Sequence, residues 1–320
     1  MTLQALADTL RTSRGFAHKG DIAGAVSRLG AHASIRNGDD CAAIPDGDGF
    51  LLLAIEGFTP DFVRDMPWFA GYCGVMVNVS DIAAMGGRAV AVVDALWSRD
   101  APHAEPLLQG LAAAADRYGV PVVGGHTNQR AGSEQLAVSI VGRAKRLLTS
   151  FDARPGDTLV MAVDLRGEFM EPQPFWNAST SAPAERLRGD LELLPALAEA
   201  GLCDAAKDIS MAGAVGTTLM LLEASGVGGS FDVAAVPQPP GVAIGRWLQA
   251  FPSFGFVLSV RPENTAEVLA RFASRSIAAA AIGRVSGGSQ LWLHNGQERA
   301  LVWDHGAQPF IGAAGLMSVA

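Results

Sequence analysis

Cysteine and basic charge are both scarce in this sequence, and each shortage excludes a class of protein. The three cysteines, Cys41, Cys73 and Cys203, lie far apart and form no CxxC pair. We therefore expect neither a disulfide framework nor a zinc site built on cysteine. Acidic residues outnumber basic ones and give a formal net charge of −8. This balance argues against general nucleic-acid binding, because such binding needs a basic surface.

The sequence also lacks the apolar segments that a membrane requires. No apolar run approaches the roughly 20 residues of a membrane-spanning helix. Residues 1–10 contain Asp8 and have no basic segment followed by a long apolar core, so they do not resemble a secretory signal peptide. We therefore expect a cytoplasmic protein with neither membrane nor nucleic-acid partners, in a reducing compartment.

The chain is long enough for two domains. Its 320 residues are 49% hydrophobic and 18% charged, a composition that excludes a disordered chain. Predicted strands and helices alternate in the first half, which favours an α/β domain. A turn-rich segment at 151–157 suggests a boundary, so we predict domains at 1–150 and 151–320.

The hydrophobic pattern and the turn residues predict individual elements. Helices are predicted at 1–10, 68–85, 104–118, 184–200, 212–225 and 265–274. Strands are predicted at 50–56, 89–97, 120–123, 136–142, 158–163, 255–261 and 277–285, the first of them buried. Residues 166–183 are rich in proline, serine, threonine and aromatic residues, and we predict a long loop that either grips a substrate or packs on its domain.

Carboxylates occur before and at the end of the strand predicted at 50–56. Residues 37–40 read Asn-Gly-Asp-Asp, a tight turn from which Asp39 and Asp40 project. The same sequence is also typical of an ordinary solvated turn. Glu56 closes a predicted buried strand, where a carboxylate needs a partner or a cation.

Two polar residues fall on one face of the predicted helix at 68–85. Asn78 and Asp81 are three positions apart and therefore neighbours on the helix surface. The surrounding residues are valine, isoleucine, alanine and methionine, so we expect the helix to be buried. An unpaired polar group there costs about 1–3 kcal/mol, and both side chains should therefore have specific partners.

Two further segments have both a functional and a structural interpretation. Residues 124–128 read Gly-Gly-His-Thr-Asn after a predicted strand, and a glycine turn of this kind lets backbone N–H groups approach a phosphate. Glycine pairs also serve plain turns. Residues 207–210 read Lys-Asp-Ile-Ser and open a predicted helix, where aspartate and serine also favour the N-cap.

These segments together supply hard oxygen ligands at the ends of elements. Carboxylate and amide oxygens suit Mg²⁺, which usually keeps several waters and bridges to substrate phosphates. The predicted oxygen ligands are Asp39, Asp40, Glu56, Asn78, Asp81 and Asp208.

The motifs occur in the order found in one superfamily, which the sequence resembles from about residue 19 to residue 285. This superfamily contains aminoimidazole ribonucleotide (AIR) synthetase, thiamine-monophosphate kinase, selenophosphate synthetase and the hydrogenase-maturation dehydratase, and the greatest likeness is to AIR-synthase-related proteins. The segments that carry the resemblance are GDDCAAI (38–44), LLLAIEGF (51–58), VNVSDIAAMGGRAVAVVDAL (77–96), GGHTN (124–128), ARPGD (153–157) and KDISMAG (207–213).

The resemblance implies a two-domain AIR-synthetase-like fold of mixed α/β and α+β class. The N-terminal α/β domain would pair with that of a second copy, so that a homodimer forms a β-barrel. The C-terminal α+β domain would pack beside it. ATP would lie in the cleft, with Mg²⁺ between its phosphates and the acidic residues.

Residue roles are implied position by position. Asp40 matches a magnesium-binding aspartate, Asp81 matches a metal-bridging aspartate, and Asp208 with Ser210 matches a pair that contacts metal and ATP. Lys19 is the candidate lysine for a phosphate, with an ordinary surface lysine as the alternative. The predicted set is therefore catalytic Lys19, Asp40 and Asp81; nucleotide-binding Gly38, Asn78, Gly124, Gly125, His126, Thr127, Asn128 and Ser210; and metal-binding Asp39, Asp40, Glu56, Asp81 and Asp208.

The sequence also departs from the kinase pattern. Ala54 and Ile55 stand where the kinase has two hydroxyl residues, while Glu56 keeps a carboxylate on a longer arm. His126 and Met211 each stand where the kinase has an aspartate, and methionine cannot bind Mg²⁺. These departures put the number of metal ions and a thiamine-phosphate substrate in doubt.

We therefore predict an ATP- and Mg²⁺-dependent enzyme that transfers the γ-phosphoryl group to an unidentified small molecule. The metal ions would neutralise charge on the transferring group. Two alternatives stay open. The first, motivated by the departures, is a nucleotide-binding subunit or regulator without turnover. The second is an ATP-dependent cyclo-ligase or dehydratase, as in other branches of the superfamily.

Overall fold

The structure, a computed structural model, describes residues 1–29 and 35–313, and the chain forms two compact units. Unit 1 comprises Met1–Asp40, Leu148–Thr180 and Leu197–Ala320, and unit 2 comprises Cys41–Leu147 and Ser181–Ala196. The unit that contains most of the C-terminal half thus also includes the first 40 residues. The predicted division after residue 150 stays a prediction.

The described residues contain the following elements. The helices are α1 (Leu3–Arg11), α2 (Arg14–Leu29), α3 (Pro60–Asp65), α4 (Pro67–Ala84), α5 (Ala101–Tyr118), α6 (Ala184–Leu191), α7 (Leu193–Glu199), α8 (Gly213–Ser225), α9 (Ile244–Trp247) and α10 (Thr265–Ala273). The strands are β1 (Ala42–Asp46), β2 (Gly49–Gly57), β3 (Arg88–Trp97), β4 (Val122–Asn128), β5 (Gln135–Ala144), β6 (Thr158–Val163), β7 (Glu168–Phe169), β8 (Phe175–Asn177), β9 (Ala205–Asp208), β10 (Gly228–Asp232), β11 (Phe251–Pro252), β12 (Gly255–Val260), β13 (Ala278–Ser286), β14 (Gln290–Asn295) and β15 (Glu298–Asp304). None of the described helices is long and apolar enough to cross a membrane.

Unit 2 is a five-stranded sheet with helices on one face. The strand order is β1-β2-β5-β3-β4, and β3 and β4 pair in parallel while the other neighbours are antiparallel. Helix α4 packs on β2, β3 and β5 and is joined by α5. The two helices approach closely at Gly71 and Gly110, where an added Cβ would lie 2.1 Å from the Leu107 carbonyl oxygen and 1.9 Å from the Trp68 carbonyl oxygen, respectively.

The buried helix predicted at 68–85 is confirmed. Helix α4 begins at Pro67, whose fixed φ suits the first turn, and it is buried from Phe69 to Ala84. It ends where Gly86 adopts a φ of +73°, a conformation that glycine accepts without strain. The predicted range therefore agrees with the observed helix to within one residue at each end.

Strand β2 differs from the prediction of a buried strand. Leu52 and Ala54 are buried, whereas Leu53 is 48% exposed and Ile55 is 68% exposed. Successive side chains of a strand point to opposite faces, and only one face of this sheet is covered by α4. The strand is therefore buried on one face, and its apolar residues on the other face are open.

Unit 1 is built on a seven-stranded sheet with the order β15-β14-β10-β13-β6-β12-β9. All residues of β6 and β12 are buried, because these strands lie inside the sheet among hydrophobic neighbours. Helix α8 is buried from Gly213 to Ala224. Helix α1 buries Leu3, Leu6, Ala7 and Leu10, as its predicted helical spacing requires.

Two predicted elements of the second half were wrong in detail. The segment 166–183 is not a plain loop, because β7 and β8 lie in it and form a three-stranded sheet with β11. The helix predicted at 184–200 is divided into α6 and α7 by Glu192. Pro195 lies at the third position of α7; proline lacks the N–H that a helix interior needs and is tolerated in a first turn.

Candidate functional site

The Asn-Gly-Asp-Asp segment of unit 1 is held in place by Asp39. Gly38 takes a φ of +107°, which permits the turn. The carboxylate of Asp39 accepts hydrogen bonds from the Ser150 backbone N–H at 2.8 Å, the Ser150 hydroxyl at 2.6 Å and the Asp40 N–H at 2.9 Å. Burial raises the pKa of Asp39 from 3.8 to about 6, although Lys207 opposes the rise. Asp39 therefore fixes the turn, and its oxygens are occupied by Ser150.

Asp40 lies against a buried lysine that the sequence analysis did not select. The Lys207 ammonium group contacts the Asp40 carboxylate, and the two side chains are only 7% and 5% exposed. The Asp208 backbone N–H also points to Asp40, at 3.4 Å. Burial by itself lowers the pKa of Lys207, but the carboxylates of Asp40, Asp39 and Asp208 raise it above its ordinary value. Lys207 is therefore charged and part of an acidic cluster, which we define as Asp39, Asp40 and Asp208.

The Lys-Asp-Ile-Ser segment does not open a helix, as its sequence suggested. Lys207 and Asp208 end strand β9, in register with Val257 and Phe256 of β12. Helix α8 begins only at Gly213, and its N-cap residue makes no side-chain cap hydrogen bond. A four-residue strand that begins with two alanines gives too short a pattern to be recognised by alternation. Asp208 therefore projects from a sheet edge and does not cap a helix.

Lys19 and Ser210 lie on segments that are linked through Gly15. A Cβ at Gly15 would lie 2.0 Å from the Met211 carbonyl oxygen, so α2 touches the backbone that follows β9. Lys19 is four residues beyond Gly15 and thus on the same face of α2. The Ser210 N–H points to the Thr217 hydroxyl at 3.4 Å. The structure thus brings the face of α2 that carries Lys19 to the segment of Ser210.

In unit 2, Asn78 and Asp81 share the buried face of α4. Asn78 is fully buried and its amide donates to the carbonyl oxygens of Gly74 at 2.8 Å and Val138 at 3.0 Å. Its Oδ1 atom has no hydrogen-bond partner among the described residues. Asp81 is 6% exposed. The expectation that Asn78 has specific partners is confirmed for its amide hydrogens, and the nucleotide and metal roles stay predictions.

Glu56 is the second-last residue of β2 and lies on the face of the strand that α4 covers. It is half-buried and lies on the same face as Leu52 and Ala54, and it pairs in register with Val138 of β5. Its carboxylate therefore stands at the α4 side of the sheet, at the end of the strand, as predicted. Its role as a metal ligand stays a prediction.

The Gly-Gly-His-Thr-Asn segment is an exposed edge strand and not a turn. Residues 122–128 form β4, which is exposed along its whole length and has β3 as its single neighbour among the described strands. The His126 ring lies 6.0 Å from the Trp97 ring, centroid to centroid, and the Asn128 side chain accepts from the Arg130 N–H at 2.9 Å. The prediction of a glycine turn was wrong, because parallel pairing with β3 keeps this segment extended.

The structure adds Asp94 to the residues of interest in unit 2. A Cβ at Gly125 would lie 2.4 Å from Asp94 Oδ1, so a glycine is required there. Burial raises the pKa of Asp94, and its Oδ2 atom has no partner among the described residues. The sequence signal that could have identified Asp94 is the presence of an aspartate inside the apolar strand predicted at 89–97.

The aromatic segment of residues 175–177 packs on its own unit. Trp176 donates its indole N–H to the Asp164 carbonyl at 2.9 Å. Its ring packs edge-on against Phe169 and Trp247, with centroids 5.2 Å apart in each case. Of the two open interpretations of this segment, packing on the domain is the one the structure supports.

Comparisons with known proteins agree on one family. Residues 38–144 match the family described as AIR synthase related protein, N-terminal domain, and residues 167–293 match its C-terminal domain. An uncharacterized protein of Synechocystis sp. is 47% identical over 312 residues, which cover 96% of this chain and 97% of that protein. An uncharacterized protein of Methanocaldococcus jannaschii is 37% identical over 271 residues, which cover 83% of this chain and 84% of that protein. Thiamine-monophosphate kinase of Pyrococcus horikoshii is 30% identical over 177 residues, or 49% of this chain and 55% of the kinase.

Solved structures confirm the predicted two-domain fold. PurL of T. maritima complexed with ADP has a TM-score of 0.75 at 20% identity and covers 98% of this chain. This chain spans about half of that PurL, 52% of its length. ThiL complexed with AMPPCP and TMP has a TM-score of 0.65 at 20% identity, covering 84% of this chain and 91% of ThiL. Such identities show the fold alone, and the dimeric barrel stays a prediction.

Proposed function

The chain belongs to the AIR synthase related proteins, and from that premise we propose that it binds ATP with Mg²⁺ and transfers the γ-phosphoryl group to a small molecule. The observation that carries the proposal is the buried acidic cluster of Asp39, Asp40 and Asp208 around Lys207. Carboxylates that are buried together are costly unless they hold a cation. A cluster of this kind is therefore expected to serve a charged ligand.

The donor atoms of the cluster fit magnesium. Asp40 and Asp208 supply hard carboxylate oxygens, the ligand type that Mg²⁺ prefers. The Asp40 carboxylate already contacts the Lys207 ammonium group, so a bound metal ion would share this carboxylate with the lysine. We propose Asp40 and Asp208 as metal ligands in unit 1, and Asp39 as the residue that positions Asp40 through Ser150. Asp81 and Glu56 are included on the sequence resemblance alone.

The remaining predicted residues would bind and orient the nucleotide. Lys19 offers an ammonium group for a phosphate, since α2 touches the backbone of the segment that follows β9. His126 and Asn128 lie exposed on β4 and offer side-chain contacts. Bound magnesium would neutralise charge on the phosphoryl group. A strong general base is not required in a loose phosphoryl-transfer transition state.

We also propose that the protein is a homodimer through the uncovered face of the unit 2 sheet. Ile55, Ser139 and Val93 are register neighbours on this face. Ile55 is 68% and Val93 is 41% exposed, and Leu53 is 48% exposed on the same strand as Ile55. Exposed apolar residues grouped on one face of a sheet are typical of interaction surfaces. A second copy of the same sheet is the partner of matching chemistry, as the family resemblance implied.

A second candidate function is favoured by a specific likeness. PurL subunits, named phosphoribosylformylglycinamidine synthases, match 79% of this chain at 28% identity, and PurL of T. maritima has been captured with ATP. An ATP-dependent cyclo-ligase or dehydratase would use the same acidic cluster but release inorganic phosphate. A nucleotide-binding subunit without turnover would neither transfer the phosphoryl group nor release inorganic phosphate.

Label tracing tests the proposal and separates these functions. The protein is incubated with γ-labelled ATP, Mg²⁺ and pooled small-molecule extracts, and the label is followed by chromatography. A kinase leaves the label on a stable acceptor that accumulates in proportion to ADP. Label found only in inorganic phosphate together with a dehydrated or ligated product supports the second candidate. ATP that stays intact with every pool contradicts both enzymatic functions.

A further inference from the structure

We propose that Lys207 is a built-in counter-cation of the acidic cluster, and that its ammonium group lowers the affinity of the cluster for divalent cations. The inference rests on the proposed function, because it concerns the same carboxylates. It adds a role for a residue that neither the sequence motifs nor the comparisons assign.

The contact between Lys207 and Asp40 joins residues 167 positions apart in the chain. Both side chains are almost fully buried, at 7% and 5% exposed. A lysine is rarely buried to this degree unless it is paired. The pairing therefore accounts for the presence of a lysine in a strand whose other members are Ala205, Ala206 and Asp208.

The ammonium group competes with any other cation for the same carboxylates. The carboxylates of Asp39, Asp40 and Asp208 attract Lys207, and its ammonium group contacts Asp40 directly. A divalent ion bound beside Asp40 would therefore meet the repulsion of a buried unit positive charge.

The backbone keeps Lys207 where it is. All four residues of β9 are buried, and β9 pairs with β12 with Lys207 opposite Val257. Removing the ammonium group from Asp40 would leave a buried carboxylate without its partner, which is strongly unfavourable. The Lys207 ammonium group is therefore a fixed part of the acidic cluster.

Mn²⁺ titration without nucleotide tests this role, with unbound Mn²⁺ followed by its electron paramagnetic resonance signal. The Lys207→Met variant should bind Mn²⁺ roughly tenfold or more tightly than the wild type, since a unit charge a few ångströms away acts on the ion. Lys207→Arg keeps the charge and should resemble the wild type. The matched control is Lys145→Met, which removes an exposed lysine and should change nothing. Equal Mn²⁺ affinity in the wild type and Lys207→Met overturns the proposal.

A second comparison covers the case in which Lys207→Met does not fold. Asp40→Asn should weaken Mn²⁺ binding, and the double variant Lys207→Met with Asp40→Asn should bind at least about tenfold more tightly than Asp40→Asn alone. Equal affinity of these two variants overturns the proposal. Because no nucleotide is present, a wild-type protein that fails to bind ATP contradicts the proposed function and leaves this test unaffected.

Discussion

Ser150 donates two hydrogen bonds to Asp39, one from its backbone N–H at 2.8 Å and one from its hydroxyl at 2.6 Å. These bonds join the turn at 37–40 to a segment 111 residues further along the chain. Arg36 adds a second link, because its guanidinium group lies 3.7 Å from the centroid of the Phe151 ring. Asp40 directly follows Asp39 in the chain. Its position therefore depends on a contact with a distant segment, which the local sequence does not contain.

Removal of the Ser150 hydroxyl should loosen this turn. We expect Ser150→Ala to lower the free energy of unfolding by about 1–2 kcal/mol, the range for a hydrogen bond to a charged group. The urea midpoint measures this loss. Ser27→Ala is the matched control, since Ser27 is exposed and bonds only within α2. A Ser150→Ala variant as stable as the control contradicts the positioning role of Ser150.

The pKa of Asp39 predicts a pH dependence of stability. Burial raises this pKa from 3.8 to about 6, so the folded protein holds the proton more tightly than the unfolded chain. The resulting stability is full below pH 3.8 and is lost as the pH rises to about 6. The Asp39→Asn variant has no titrating carboxyl group at this position and therefore lacks this pH-dependent stability. The unfolding free energy of the wild type should therefore fall relative to Asp39→Asn between about pH 4 and pH 7, by roughly 1–3 kcal/mol.

Denaturant titrations of the two proteins across that range measure the difference. A difference that does not change with pH would show that the Asp39 pKa is not raised in the folded protein. A change of the opposite sign would show that Lys207 outweighs burial at this carboxyl group.

The elements with a long or regular pattern could be predicted from the sequence. The sequence predicts helix α4 because a long run without proline ends at Gly86-Gly87, and the spacing of Asn78 and Asp81 places them on one face of it. These predictions succeeded because they rest on local spacing, which the backbone geometry enforces. The metal-binding roles of Asp39, Asp40 and Asp208 stay predictions.

The contacts between distant segments could not be predicted. Nothing near Lys207 in the sequence indicates that it meets Asp40, because the two are joined only by the fold. The sequence predicts a turn at Gly124–Gly125, and this prediction is wrong. Glycine is needed at position 125 because Asp94 of the parallel neighbouring strand lies against it. Exposure of Leu53 and Ile55 was missed because a continuous apolar run does not show which face is covered.

Glu223 should be a strong determinant of stability in unit 1. It is fully buried on α8, and its carboxylate accepts from the N–H groups of Phe310 at 2.9 Å, Ile311 at 3.1 Å and Gly312 at 2.8 Å. The Glu223→Gln variant places an amide NH₂ group, which is a donor, against one of these backbone N–H groups. We expect it to lower the free energy of unfolding by about 1–3 kcal/mol. Thermal unfolding compared with Glu263→Gln, an exposed control, measures the loss. Equal melting temperatures would show that the carboxylate does not hold this segment.

The uncovered face of the unit 2 sheet should mediate dimerisation. Ile55→Asp places a charge among exposed apolar residues and should convert the dimer to a monomer, because a charge buried in an apolar interface is costly. Light scattering after size-exclusion chromatography gives the mass. Leu108→Asp is the control, since Leu108 is 37% exposed on α5. A wild-type protein that is monomeric at micromolar concentration, or a dimeric Ile55→Asp variant, contradicts the proposed interface.

Calorimetric titration with a non-hydrolysable ATP analogue, with and without Mg²⁺, tests the central claim most directly. The account predicts Mg²⁺-dependent binding that weakens about tenfold or more in Asp208→Asn, because the variant loses a proposed metal ligand. Asp61→Asn, which changes a side chain 73% exposed, should bind like the wild type. Folded wild-type protein that binds no analogue at millimolar concentration, or that binds it equally well without Mg²⁺ and in Asp208→Asn, would contradict the account.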